Sequence, residues 1–323
     1  MSLTRRGFLV ATAVLTLAAC GTQPALEKTA ATGTAWSFTD DRGKKLELPG
    51  RPSRIVAQVG AAAALWDFGV RPVAVFGPHK LKDGGRDPQV GNVDITKVEG
   101  LGNVFDEFNV EKYIALRPDL LVSNMWEQGR LWYVPEKSKA TIEQVAPTAG
   151  IMLPGRSAEQ VIGKYEELAT SLGADLAGVA EARTRFQAAL KELKKFGKLK
   201  ILMMSGGADN MWVVNPPDYP DIVTLMTAGL DVVKPTTVDK GGFFQTLSWE
   251  NADTYDADVI LYDTRTQSLT PQEMLRKPTF AKLPAVKAGQ LYPWRAEAPF
   301  SYQGYASMLE ELVANLEKAS KLP

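Results

Sequence analysis

The chain has 323 residues, 45% of them hydrophobic and 23% charged, the balance of a folded protein with a sizeable core rather than of a disordered one. Lysine plus arginine equals aspartate plus glutamate at 37 each, so nothing favours a nucleic-acid polyanion as partner. A single histidine, His79, and a single cysteine, Cys20, are too few for a transition-metal centre of the usual His/Cys type and rule out a disulfide within the chain.

The first twenty residues read as an export signal. Arg5-Arg6-Gly7-Phe8-Leu9 sets two arginines before an uncharged run that ends at Ala19; that run is too short to span a bilayer, which takes about 20 apolar residues. The arginine pair resembles a twin-arginine signal. Leu17-Ala18-Ala19-Cys20 resembles a lipobox, which implies lipid on Cys20. Removing the signal leaves 35 basic against 37 acidic residues. A Thr/Ala-rich stretch over 21–35 reads as a flexible tether, giving a lipid-anchored protein on the outer face of the cell membrane.

The folded part begins at Trp36, with a hairpin turn at Asp40-Asp41-Arg42-Gly43. Strands are expected at 54–58, 73–76, 119–123 and near Ile151, with helices at 61–68, closed by Gly69, and at 110–116, stopped by Arg117-Pro118. This alternation indicates a parallel α/β sheet. Ser157 and Gln160 form a capping-box pattern at the start of a helix to Leu172. A second helix over Asp175–Phe196, roughly 33 Å long, either bridges two lobes or merely covers one. A second α/β unit follows, with strands at 200–205, 259–262 and 290–294 and helices at 221–227 and 305–318. The domains are then 36–156, a helical connection at 157–198, and 199–323.

No Gly-x-Ser-x-Gly elbow or phosphate-binding loop appears, and Gly100-Leu101-Gly102 has Phe105 where a dinucleotide fingerprint has its third glycine. An enzyme is therefore not expected, nor a resident cofactor. The segments after the strands are unusually aromatic instead: Trp126, then Arg130-Leu131-Trp132-Tyr133; Trp212 after Gly206-Gly207; Phe243-Phe244; Trp294-Arg295; and Tyr302. Any one of these rings fits equally well as a packing anchor. Together, in the loops of both lobes, they suit a bulky, half-polar ligand.

Several runs carry a family resemblance in their order and spacing. They are Pro52-Ser53-Arg54-Ile55-Val56, Val110-Glu111-Lys112-Tyr113-Ile114, Leu247-Ser248-Trp249-Glu250-Asn251-Ala252, Asp256-Ala257-Asp258-Val259-Ile260 and Leu283-Pro284-Ala285-Val286-Lys287. Over about residues 36–320 the chain resembles the class III substrate-binding lipoproteins of ABC importers, which deliver iron-siderophores, haem or cobalamin. The resemblance implies two Rossmann-like α/β lobes with mainly parallel sheets, joined by one long rigid helix. It also implies a ligand in the cleft between them, a monomer, and a permease with its ATPase as partner. On the same grounds Glu111 and Glu250 are the docking acids, although each also suits a capping carboxylate in the first turn of a helix.

Among ligands of that family, multiply anionic ferric catecholates call for a dense basic basket that is not visible. Haem needs an axial histidine or tyrosine, which His79 or a tyrosine would have to supply. A ferric tris-hydroxamate, with a neutral core and outward carbonyl oxygens, suits aromatic walls with one or two arginines. Trp126, Arg130, Trp132, Trp212, Phe243, Phe244, Trp294, Arg295 and Tyr302 are the candidate contacts, with fluorescence quenching expected chiefly at Trp212 and Trp294. Arg183 and Arg265 read as solvated surface cations.

Overall fold

The computed structural model describes residues 35–323. The signal, Cys20 and the tether up to residue 34 lie outside the described residues. Strands β1 (Trp36–Thr39) and β2 (Lys45–Leu48) form an antiparallel hairpin. The buried Asp40 in its turn receives the Arg42 guanidinium at 2.6 Å and the backbone N–H of Gly150 at 3.0 Å, which pins the hairpin to the first sheet.

That sheet is built from β3 (Ile55–Gln58), β4 (Ala74–Phe76), β5 (Glu99–Gly100), β6 (Leu120–Met125) and β7 (Thr148–Met152), in spatial order β5-β4-β3-β6-β7. All its pairings are parallel, and β6 is buried along its whole length, as a strand covered on both faces must be. Helix α1 (Val59–Asp67) is capped by the Gln58 side chain, which accepts from the N–H groups of Gly60 and Ala61. Its run Ala61-Ala62-Ala63-Ala64 is fully buried, so the helix backbone approaches the sheet closely. Helix α2 (Val110–Leu116) takes Asn109 as N-cap and ends at Arg117, whose φ of +46° turns the chain into Pro118. Helix α3 (Glu136–Val145), unexpected from the sequence, buries only Ile142.

Helix α4 (Ala158–Ser171) opens with the expected capping box of Ser157 and Gln160. The connection that follows begins later than expected. Asp175 accepts from the N–H of Ala177, and helix starts as a 3₁₀ turn at Ala177–Val179. Helix α5 (Ala180–Leu193) continues it, and a second 3₁₀ turn closes it at Lys194–Phe196. Its inner face is Ala182, Phe186, Ala189 and Leu193, at the steps of three and four that put residues on one side of a helix.

The second sheet comprises β8 (Lys200–Gly206), β9 (Asn210–Val214), β10 (Asp231–Val232), β11 (Phe244–Ser248), β12 (Val259–Asp263) and β13 (Leu291–Trp294). Its order is β11-β9-β8-β12-β13, with β10 beside the start of β8. Strands β10, β8, β12 and β13 run parallel, whereas β9 and β11 are antiparallel. The Gly206–Trp212 stretch, expected as a loop, is thus a tight hairpin with Trp212 on its returning strand. The remaining α-helices among the described residues are α6 (Pro220–Thr227), α7 (Pro271–Met274), α8 (Pro284–Lys287) and α9 (Tyr302–Leu316), the last packed against α5. Among the described residues no helix is long and apolar enough to cross a membrane.

Candidate ligand-binding cleft

Ligands of parallel α/β sheets sit beyond the carboxyl ends of the strands. In the first sheet those ends lead into Gly77-Pro78-His79 and into the Trp126–Tyr133 loop; in the second, into Thr264-Arg265 and Arg295-Ala296-Glu297. The two sets of loops meet. The Thr266 hydroxyl lies 3.4 Å from the Asp87 carboxylate across the seam, and the Trp126 ring lies 5.3 Å from Tyr219 and 6.1 Å from Phe243.

An unbroken chain of rings runs along this seam. Phe105 stands edge-on to Trp132 and Tyr133 at 5.3 Å each, Trp132 to Trp126 at 6.5 Å, and Tyr219 to Phe244 at 6.0 Å and Trp294 at 5.7 Å. Edge-to-face and tilted pairs at these separations are attractive beyond their buried area. Strand β6 positions the exposed end: the Trp132 N–H donates to Asn124 O at 2.8 Å, and the Ser123 hydroxyl to Trp132 O at 2.9 Å. Tyr133 is held at φ +63°, a conformation that disfavours a bulky side chain and marks a position dictated by its surroundings. Gly77, at φ +92°, packs beside it; an added Cβ would press on Val59 at 3.3 Å and touch the Tyr133 ring at 3.5 Å. Burial, reinforced by Glu297, pushes the Tyr133 hydroxyl up to about 12, so it stays a hydrogen-bond donor.

Each arginine at the cleft already has a carboxylate. Arg265, expected as a surface cation, is only 15% exposed at its side chain and forks onto the buried Asp263 at 2.8 and 3.0 Å and onto Glu297 at 2.8 Å. Burial opposes its charge, but Glu297 and Asp263 outweigh this and hold its pKa raised. Arg130 lies 5.6 Å over the Phe105 ring and pairs with Glu127 at 3.2 Å. Arg295 is exposed and pairs with Glu311. No group of three His, Cys, Asp or Glu side chains that could hold a metal ion occurs among the described residues.

The predicted contacts divide. Trp126, Trp132, Phe243 and Phe244 are brought together along the seam. Trp212 stands apart, on β9, with its ring across Gly207. Trp294 is buried and donates its indole N–H to Asp221, so it is a packing anchor of the wall and not a free surface. Tyr302 lies away from the cleft, edge-on to Phe186 of α5 at 5.6 Å under the Arg183 guanidinium, because α9 opens at that position. His79 is also buried, its Nδ1 2.9 Å from Gly77 O. Tyr219, the hub of the ring chain, and Tyr133 were not singled out. Pro216-Pro217-Asp218-Tyr219-Pro220 gives Tyr219 only the signature of a turn.

Asp221 carries its own test. Burial pushes its carboxyl up from 3.8 to about 6, against the opposing pull of the Trp294 N–H. A raised carboxyl pKa contributes stability that is complete below about pH 4 and lost as pH rises through about 6. Asp221→Asn is expected to remove that slope. The stability difference from wild type should change by about 3 kcal/mol between pH 4 and pH 7. Urea unfolding at both pH values checks this, and parallel pH profiles would contradict it.

Residues 89–298 match the family described as "Periplasmic binding protein". The chain belongs to that family. Among solved structures it is similar to DesE, a ferric-siderophore receptor protein from Streptomyces coelicolor. Identity is 38%, with a TM-score of 0.84, over 89% of this chain and 100% of that one. The Fe(3+)-citrate-binding protein YfmC of Bacillus subtilis (strain 168) is 22% identical over 257 residues, 78% of this chain and 76% of that protein. Staphylococcus aureus SirA, solved with staphyloferrin B, shares the fold at a TM-score of 0.61 and 20% identity, over 88% of this chain and 99% of that one. The two α/β sheets joined through a helical connection are the architecture of these periplasmic binding proteins.

Proposed function

We propose that this protein captures a ferric siderophore of the tris-hydroxamate type in the interlobe cleft, outside the cell membrane, and delivers it to an ABC importer permease and its ATPase. The similarity to DesE supports the siderophore class. The pairing of every cleft arginine with carboxylates carries the choice within it: Arg130, Arg265 and Arg295 are met by Glu127, Asp263, Glu297 and Glu311. A multiply anionic ferric catecholate would meet no net positive charge there, whereas a neutral chelate needs none and gains from the ring wall. Haem would have to take a tyrosine as its axial ligand, since His79 is buried. Protein mixed with excess ferric tris-hydroxamate and desalted should retain the chelate's visible absorbance; a colourless protein would contradict the assignment.

The same reading places the protein on the membrane through lipid on Cys20. Cys20→Ala should release it to the soluble fraction, because stable anchoring rests on acyl chains worth about 0.8 kcal/mol per buried CH₂. Arg5→Lys with Arg6→Lys should block export. Fractionation after cell lysis checks both, and unchanged membrane association of Cys20→Ala would remove the lipid anchor. Glu111 and Glu250, both exposed, are the proposed contacts to the permease.

A further inference from the structure

The chain passes from the first lobe to the second through the helical connection over 157–198, so every other junction between the lobes is non-covalent. One such junction joins two helices end to end. Asp67 is the last residue of α1 in the first lobe, and Ser301 is the N-cap of α9 in the second. The Ser301 hydroxyl is fully buried; it accepts from the Gly304 N–H at 3.0 Å and donates to the Asp67 carboxylate. An acid of one lobe thus completes the cap of a helix in the other, where the helix dipole favours a negative charge. From its own lobe, Asn92 donates to the second carboxylate oxygen at 2.8 Å and Arg71 offsets the charge.

The surroundings of this bond both support and oppose it. Pro299 seats so closely on Gly91 of the first lobe that an added Cβ there would lie 2.6 Å from the Pro299 ring, and the Gln303 side chain donates to the Asp67 carbonyl at 3.3 Å. Yet Gln303 Oε1 is buried with no donor among the described residues, a cost that parting the junction would relieve by exposing the oxygen to water. The segment that carries Ser301 also reaches the cleft. Glu297, four residues earlier, pairs with Arg265 and is held at φ +62°, a conformation that disfavours a non-glycine residue and marks a position fixed by what lies on either side.

We infer that the Asp67–Ser301 hydrogen bond is an interlobe latch: the two are positioning residues that set the width of the cleft and, through the 295–301 segment, the placing of Glu297 on its wall. The link from the latch to ligand capture rests on the cleft reading above. The latch itself does not, and its test uses no ligand.

The test measures the distance between the lobes. Lys97 of the first lobe and Lys282 of the second are both exposed; Lys97→Cys and Lys282→Cys in the Cys20→Ala chain take a pair of spin labels for pulsed distance measurement. With the latch intact the labels should show one narrow distance. Ser301→Asp keeps a good N-cap for α9 but sets a like charge against Asp67. It should raise the share of molecules at other distances about tenfold, the effect of losing one hydrogen bond to a charged group. Adding Asp67→Asn places an amide donor opposite the new carboxylate and should restore the narrow distance. An unchanged distance in Ser301→Asp, or a spread that Asp67→Asn does not correct, would overturn the inference. If Ser301→Asp does not fold, Asp67→Ala, which leaves α9 unaltered, decides by the same criterion. A latch that behaves as expected in a protein that retains no ferric chelate would stand while the siderophore reading fell.

Discussion

Arg265→Ala is expected to destabilise the protein by about 3–5 kcal/mol, the range for removing one partner of a buried ion pair. Asp263 is fully buried at its side chain and receives the Arg265 fork together with the Ser205 and Ser268 hydroxyls at 2.9 Å each. Without the guanidinium, that carboxylate and Glu297 face each other uncompensated at the mouth of the cleft. A double-mutant cycle with Asp263→Ala separates the pair from its surroundings: the double variant should cost less than the sum of the singles by at least about 1 kcal/mol. Urea unfolding measures it. A loss below about 1 kcal/mol for Arg265→Ala is the behaviour of a solvated surface pair and would remove Arg265 from the structural floor of the site.

The second large effect concerns transport. Changing both Glu111 and Glu250 to lysine should leave folding and ligand affinity intact, yet cut uptake at least tenfold. If, as proposed, the two acids meet basic groups of the permease, like charges would then face each other, and juxtaposition of that kind costs several kcal/mol. Local structure separates docking from capping more cleanly at one position than at the other. Helix α2 is already capped by Asn109, whose side chain accepts from the Lys112 N–H at 2.8 Å. Glu250 sits in a single 3₁₀ turn, Trp249–Asn251, rather than in the helix expected from sequence. Its own backbone N–H and the Ser248 hydroxyl hold its carboxyl below the usual range, so it also serves its turn. Glu250→Lys alone should therefore lose a little stability, whereas Glu111→Lys should lose none. Full uptake by the double variant, measured with radiolabelled iron chelate in cells, would take both residues off the docking surface.

Elements that were legible in the sequence announce themselves through local chemistry. The Ser157/Gln160 box, the Arg117-Pro118 stop and the Gly69 close each act within a few residues, so the helices they bound matched closely. The longer parallel strands were readable as short apolar runs between those helices, whereas β5 and β10, two residues each, were not expected. What escaped depends on partners distant in sequence. Strand β11 is partly exposed and pairs with β9 across about thirty residues, so Phe243-Phe244 read as a loop; α3 buries one residue and has no apolar stripe to detect. The site follows the same division. Aromatic density in post-strand loops pointed to the seam, but exposure within it is tertiary. Trp294 and Tyr302 share a composition signal with Trp132, yet only Trp132 remains half-exposed there. Arg265 looked like a loop cation because its carboxylate partners lie in a strand and in a segment some thirty residues away. Under the proposed cleft reading, the quenching expected from sequence of Trp212 and Trp294 is assigned instead to the half-exposed Trp132.

Competitive titration of tryptophan fluorescence tests the central claim most directly. Wild-type protein is titrated with a ferric tris-hydroxamate and, separately, with a ferric catecholate, and the same is done with Trp132→Phe. A tris-hydroxamate dissociation constant of micromolar or better, about −8 kcal/mol, with weaker catecholate binding and a quench largely lost in Trp132→Phe, is the predicted result. A preference for the ferric catecholate, or a full quench that survives Trp132→Phe, would contradict it.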